Sequence, residues 1–280
     1  MLKGNMILIE PNIPLLKRYI KLYYIHTASE SDFYQRIIYY PNYTTTLNIY
    51  QHSQLSWTEY SRTHSFTPNP GFLSLLVAKF DRSREIITQG PLDKLSIVFH
   101  PLGLNYFLDV PLSSLISDHF SFFTHYGESY EALLIQLFKE PKLERKRDLL
   151  DQFFLKMYRP FAEERLIQAI NYILTSEEPI RVSRLSDKLG ISRKTLLRLF
   201  QKHLGYSVET YLSVVRFRKA LIAYQESEEK PTLTEVAYTS QYYDQSDFIH
   251  QFKAKSGLSP GQLYAQLKTL KEGLFWSLPE

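Results

Sequence analysis

The chain has 280 residues, a formal net charge of +4, 44% hydrophobic and 22% charged residues, proportions that suit a soluble globular protein with room for two domains. There is no cysteine, which excludes disulfide scaffolds, thiolate metal sites and cysteine nucleophiles. The small charge excess is spread evenly along the chain, so any case for a nucleic-acid partner must come from local placement.

No apolar run approaches the roughly 18 residues of a membrane helix. The N-terminus lacks the apolar core and small-residue cleavage site of a signal peptide, so the protein is expected in the cytoplasm, with no membrane partner. Pro14–Tyr24 reads as a helix. From Ile7 to about His100 the rest favours strands. Arg36–Tyr40, Thr44–Tyr50, Phe72–Lys79, Arg84–Thr88 and Leu95–His100 are short and rich in β-branched and aromatic residues. Pro41-Asn42, Pro68-Asn69-Pro70-Gly71, Gly90-Pro91 and Pro101 separate them. Such spacing predicts an antiparallel sandwich or small barrel.

After Pro101 the pattern turns helical. Gly103–Leu108 and Pro111–Ile116 read as short helices, and Glu128–Lys139 and Glu144–Tyr158 as longer ones. The last carries one apolar stripe, Leu149, Leu150, Phe153, Phe154 and Met157. That stripe suits either pairing of two chains or packing on its own barrel. Arg159-Pro160 marks a boundary, and helices with brief interruptions are predicted from Glu163 to the end. The chain thus divides into a β-rich part (1–125), a helical linker (126–160) and an all-α part (161–280), an α+β protein.

The all-α part contains a duplication. Val182, Leu185 and Ser186 match Leu233, Val236 and Ala237; Leu196, Phe200, Gly205 and Ser207 match Phe248, Phe252, Gly257 and Ser259, after one inserted residue. Each copy, 182–205 and 233–257, has the layout of a helix-turn-helix. In the first, Val182, Leu185 and Leu189 form one helical face, and Gly190 permits the tight turn. Ser192 can cap the next helix, which buries Leu196, Leu199 and Phe200 and ends at Gly205.

The opposite face of that helix presents Arg193, Lys194, Leu197, Arg198 and Gln201. Cations suit phosphates. Arg suits guanine, and an apolar group suits the thymine methyl. One such face alone could be an ordinary solvated helix surface; the duplication favours DNA. The second copy presents Gln245, Ser246, Ile249, His250 and Lys253, with Asp244 and Asp247 opposing phosphate contact. Ser207–Tyr224 reads as a connecting helix. Its 18 residues span roughly 27 Å, short of the about 34 Å between successive major grooves. Both units then engage together only on bent DNA, or one contacts mainly backbone.

These residues resemble the AraC/XylS family of bacterial transcription regulators over about residues 163–265. The resemblance runs through Leu185, Ile191-Ser192, Leu196, Arg198-Leu199-Phe200, Gly205, Tyr211, Arg216, Ala220, Val236-Ala237, Asp244, Ser246, Phe248, Phe252-Lys253, Gly257 and Ser259-Pro260. It implies seven helices in two helix-turn-helix subdomains and base readers at Lys194, Leu197, Arg198, Gln245, Ser246 and His250. Arg193, Gln201, Lys202 and Lys253 are the expected backbone contacts. Two features depart from the pattern: Gln241-Tyr242-Tyr243 where Gly-Phe is usual, and Gly261-Gln262-Leu263-Tyr264 where an aromatic and then Arg are usual. More weakly, Pro14–Tyr24, the strands after Pro41 and Ser96–Gly103 resemble the cupin-like sensor domains of such regulators. In that family these domains bind a small effector or a partner, and helices after the barrel often pair two chains. A homodimer and RNA polymerase are partners the resemblance implies.

No enzyme chemistry is expected. There is no G-x-S-x-G elbow, Walker loop or G-x-G-x-x-G. His26, His52, His64, His100, His119 and His125 share no metal-motif spacing, so no metal or cofactor is assigned, although a barrel could gather them into a metal-dependent enzyme. DNA alkyl transfer needs the missing thiolate. A protein-interaction role without DNA readout rests on the atypical second turn alone.

Overall fold

The computed structural model describes residues 4–58, 61–69, 71–117, 120–227, 229–270 and 274–277. In chain order the N-terminal half runs β1 (Asn5–Ile9), α1 (Pro14–Lys17), β2 (Ile20–Ala28), β3 (Tyr34–Tyr39), β4 (Thr45–Gln51), β5 (Ser53–Trp57), β6 (Ser61–Phe66), β7 (Phe72–Val77), β8 (Arg84–Gln89), β9 (Leu92–Phe99) and β10 (Ser121–Phe122). The helical predictions at Gly103–Leu108 and Pro111–Ile116 appear as 3₁₀ turns at Gly103–Phe107 and Leu112–Ser114.

Two six-stranded sheets form. One has the order β1-β2-β9-β4-β7-β10; the other ends in β3-β8-β6-β5. They are not closed into a barrel, so the sandwich form of the expected architecture is the one adopted. Strand periodicity explains how the first sheet is used. Leu47, Ile49, Leu95, Ile97 and Phe99 point to one face and pack on α2 (Gly127–Lys139) and α3 (Leu143–Met157) through Leu133, Leu137, Leu150 and Phe154. Asn48, Tyr50, Lys94 and Val98, the alternate residues, line a cavity on the other face with Tyr39, Arg62 and His64 of the second sheet. Because both faces are covered, Leu95–Phe99 reads as a nearly continuous apolar run.

The helix expected over Pro14–Tyr24 is a single turn. Pro14 starts it, but Ile20–Ala28 pairs with β1 on one side and β9 on the other. Ladder hydrogen bonds on both edges, plus Leu22, Tyr23 and Tyr24 buried at 7% exposure or less, outweigh a helical pattern that ends without a cap.

The apolar stripe of α3 is committed to its own sandwich. Leu150, Phe153 and Phe154 are buried there, and Leu149 and Met157 pack beside them. Of the two alternatives for this helix, intrachain packing is the one observed.

The second half consists of α4 (Glu164–Thr175), α5 (Val182–Leu189), α6 (Arg193–Leu204), α7 (Val208–Glu226), α8 (Leu233–Thr239), α9 (Gln245–Ser256) and α10 (Pro260–Gln266). It has two cores, and α7 belongs to both. Tyr211, Val214 and Val215 pack with α4–α6, whereas Phe217, Ala220 and Leu221 pack with α8–α10. The chain does not stay helical to its end. β11 (Lys268–Leu270) and β12 (Leu274–Ser277) form a hairpin, and β12 pairs antiparallel with β3, Trp276 opposite Tyr39. The terminal segment therefore returns to the sandwich and adds two strands to its second sheet. Among the described residues no helix is long and apolar enough to cross a membrane.

Candidate nucleic-acid interface

Both units of the duplication fold as helix, turn, helix. In the first, Gly190 takes φ +64° between α5 and α6, a conformation costly for any residue with a Cβ. Its N–H closes the turn on Asp187. The Ser192 hydroxyl accepts the N–H of Thr195 at 3.1 Å, capping α6, and fixes the angle at which the reading helix leaves the turn. Leu185, Leu189, Leu196 and Phe200 lock the two helices together.

On the outside of α6, Arg193, Lys194, Arg198, Gln201 and Lys202 are exposed, and Leu197 is half-buried among them. Lys202 is engaged: its ammonium lies 3.8 Å from Glu163. The others form a cationic face around one apolar side chain, which matches the needs of phosphate contact and groove readout.

In the second unit Asp244 caps α9 by accepting the Asp247 N–H at 2.8 Å. The Asp247 carboxylate accepts from Gln251 at 2.7 Å and from the Tyr243 N–H at 3.3 Å. Both acids thus serve the helix terminus, where a negative charge is favoured. Gln245, Ser246, His250 and Lys253 are exposed and Ile249 is half-buried. The Thr234 hydroxyl donates to Gln245 Oε1 at 2.8 Å, so α8 holds the orientation of this amide. Arg216 of α7 donates to Gln251 at 3.1 Å and its guanidinium lies 5.7 Å from the Tyr242 ring centroid, tying the connecting helix to α9.

The atypical turn has a structural answer. Gln241 adopts φ +68°, the left-handed region where glycine is usual. Its side chain is buried, and Nε2 donates to the Ser176 carbonyl at 2.6 Å. Lys219 of α7 donates to the same carbonyl at 2.7 Å. The residue that strains the second turn also bonds to the end of α4, so the two units are stapled to each other. Sequence reasoning flagged Gln241 only as a departure; a buried, bonding role is invisible without the neighbouring carbonyl.

The sandwich grips both units. The Tyr206 hydroxyl, at the end of α6, accepts the Phe80 N–H and donates to the Asn42 carbonyl. Asn105 donates to the His203 carbonyl at 3.0 Å. Gly205 sits so close to Ile116 that a Cβ there would overlap its Cδ1. At the second unit, Ser83 donates its N–H to the Lys255 carbonyl at 2.8 Å and its hydroxyl to Ser256 at 3.1 Å. Tyr40 is buried in the core with Phe217. None of these contacts covers the exposed faces of α6 and α9.

Residues 185–266 match a family described as a helix-turn-helix domain. Among solved structures, the chain is similar to the C-terminal domain of the response regulator yesN from Fusobacterium nucleatum subsp. nucleatum ATCC 25586, at 28% identity over 36% of this chain and 98% of that one, with a TM-score of 0.34. It is similar to the DNA-binding domain of AdpA, a global transcriptional factor solved with a target DNA, at 22% identity over 36% and 90%, with a TM-score of 0.34. It is also similar to ToxT from Vibrio cholerae, at 13% identity over 94% and 97%, with a TM-score of 0.41. No curated protein sequence matches it.

Proposed function

We propose that this chain is an AraC-type transcription regulator that reads two adjacent major grooves, with residues 1–125 as the sensing domain, 126–160 as the linker and 161–280 as the DNA-binding part. One observation carries the reading: the two duplicated helices present exposed polar faces, while the sandwich's hydrogen bonds go to His203 and Tyr206 at the end of α6 and to Lys255 and Ser256 at the end of α9. Lys194, Leu197, Arg198, Gln245, Ser246 and His250 are the base readers. Arg193, Gln201, Lys202 and Lys253 contact phosphates, Lys202 after release from Glu163. The α7 connector is 19 residues long, about 28 Å, so engagement of both units bends the DNA. RNA polymerase is the partner at promoters, and a homodimer would use surfaces other than the stripe of α3 already spent on the sandwich.

The sandwich supplies the signal through a small effector in the cavity between its sheets. Arg218 of α7, in the DNA-binding region, lines that cavity, which links occupancy to the disposition of the two units.

Selection of bound sequences from random duplexes, followed by a salt series, tests the reading. Affinity is expected to fall steeply with salt, with a specific-to-random ratio of about 10³ or more. A ratio near one removes the regulator. A circular-permutation gel tests the bend; straight DNA with both half-sites protected refutes it.

A further inference from the structure

The connection between β7 and β8, residues 78–83, belongs to the sandwich yet reaches the ends of both α6 and α9. At α6 the Phe80 N–H donates to the Tyr206 hydroxyl. At α9 the Ser83 N–H donates to the Lys255 carbonyl at 2.8 Å, and its hydroxyl to the Ser256 carbonyl at 3.1 Å. The last carbonyls of a helix have no partner within it, so Ser83 satisfies two that α9 cannot satisfy itself. Those two bonds fix the connection against the helix, and they set Arg82, the residue before Ser83, beside its C-terminal end.

The outer face of α9 runs into this connection. Ser246, Ile249, His250, Lys253 and Ala254 line one shallow depression along the helix. Ala254 also lines a larger groove, of about 840 Å³, whose walls include Lys255 on the helix side and Arg82 and Ser83 on the sandwich side. Lys79, Asp81 and Arg84 line the same groove and have interactions of their own within the protein. Arg82 is exposed, and among the described residues no hydrogen bond or ion pair holds its guanidinium. Lys255 is half-buried. Burial lowers its pKa, Asp81 opposes this, and Arg82 and Arg216 lower it further. Cations therefore gather at this end of α9. The helix dipole favours positive charge there, but Lys253 and Lys255 already supply it from the last turn. An exposed arginine brought in from the sandwich adds repulsion unless an anion lies outside it.

We infer that the sandwich forms part of the DNA surface: Arg82, set at the end of α9 by Ser83, contacts the phosphate backbone flanking the second half-site, beside Lys253. This rests on α9 being a DNA-facing helix and extends the interface to the other half of the chain. Duplex DNA carries one negative charge per about 1.7 Å of axis, so a duplex seated on the outer face of α9 presents further phosphates at the helix end. Asp244 and Asp247 occupy the start of α9, which leaves its C-terminal end as the place where the second unit can hold an anion. The bonds that tie the halves together, Phe80 to Tyr206 and Ser83 to α9, then also deliver the contact, so DNA affinity depends on the sandwich being docked. A phosphate contact carries no sequence information, and Arg82 strengthens binding to every sequence alike.

The test compares full-length wild type, Arg82→Gln and Arg82→Lys on a duplex obtained by selection and on a random one, across a salt series, with ethylation interference to map the phosphates touched. Arg82→Gln is expected to bind both duplexes about fivefold more weakly at low salt and to reduce the salt slope by about 1. It is also expected to lose interference at a phosphate flanking the second half-site. Arg82→Lys keeps the charge and is expected to restore the slope and most of the affinity. Wild-type affinity, slope and interference in Arg82→Gln overturn the proposal. A loss of affinity with an unchanged slope overturns it too, because the arginine then acts through the fold and not on a phosphate. If wild type does not prefer the selected duplex, the regulator reading fails and this contact with it; preference in wild type without any effect at Arg82 removes this contact alone.

Discussion

The two helix-turn-helix units share a framework but not a charge. The first caps its reading helix with a neutral serine and surrounds Leu197 with Arg193, Lys194 and Arg198. The second caps with Asp244, adds Asp247 one turn on, and offers Gln245, Ser246, His250 and Lys253. Apolar positions survived duplication because the cores of both units need them; Phe200 and Phe252 are each fully buried. Surface positions were free to diverge, and they did so toward different work. The first unit offers the more cationic face, and the second is tied in place through Gln241 on Ser176, Arg216 on Gln251 and Ser83 on Lys255.

The largest expected effect separates the units by unfolding one. Phe252→Ala removes a fully buried ring from the second core and costs about 3–5 kcal/mol of stability. Footprinting is expected to show the first half-site still protected and the second lost. Loss of both at once means the shared helix α7 makes them one cooperative body.

Next is readout. Arg198→Ala is expected to cost about 1–3 kcal/mol of binding and relax one base position; uniform weakening on every sequence shows that Arg198 reads no base. Lys253→Ala in the second unit is expected to weaken all sequences alike and reduce the salt slope by about 1.

A finer contrast concerns the staple. Gln241→Ala keeps the left-handed backbone and loses the bond to Ser176, whereas Gln241→Gly loses the bond but relieves the strain. The glycine variant is expected to melt higher than the alanine variant, by about 1–2 kcal/mol of stability. Equal midpoints mean that the turn is not strained.

The smallest effect is acid sensitivity. His64 and His203 both have pKa values lowered chiefly by burial, His64 to about 3. A depressed histidine pKa means the unfolded chain binds protons first, so stability is complete above about pH 6.5 and falls as pH drops toward the folded value. His64→Gln is expected to flatten the thermal midpoint between about pH 6.5 and 3; an unchanged slope assigns the acid sensitivity elsewhere.

Legibility differed between the halves for a physical reason. Helix-turn-helix units are local. Caps, a turn glycine and apolar spacing lie within about 25 residues, so Ser192, Gly190, Leu196 and Phe200 could be placed before any fold was known. The sandwich is non-local. β5 and β6 carry polar sequences such as Ser61-Arg62-Thr63-His64, which escaped notice because their strand character comes from pairing with each other and with β8. The start of β2, Ile20–Tyr24, reads as helix in the sequence because the pairing that makes it a strand runs largely to the distant β9.

From the sequence alone came the α+β class, the duplication, the two exposed polar faces and the exclusion of thiol chemistry, since each depends on residues near one another in the chain or on composition. Tertiary structure alone decided that the α3 stripe serves its own sandwich, that Gln241 staples the units and that the C-terminal hairpin returns to β3. It also decided that Lys94, Arg62 and Arg218 share one cavity. Those facts depend on which distant surfaces meet, and a single cation in a strand carries no mark of the other two it will face.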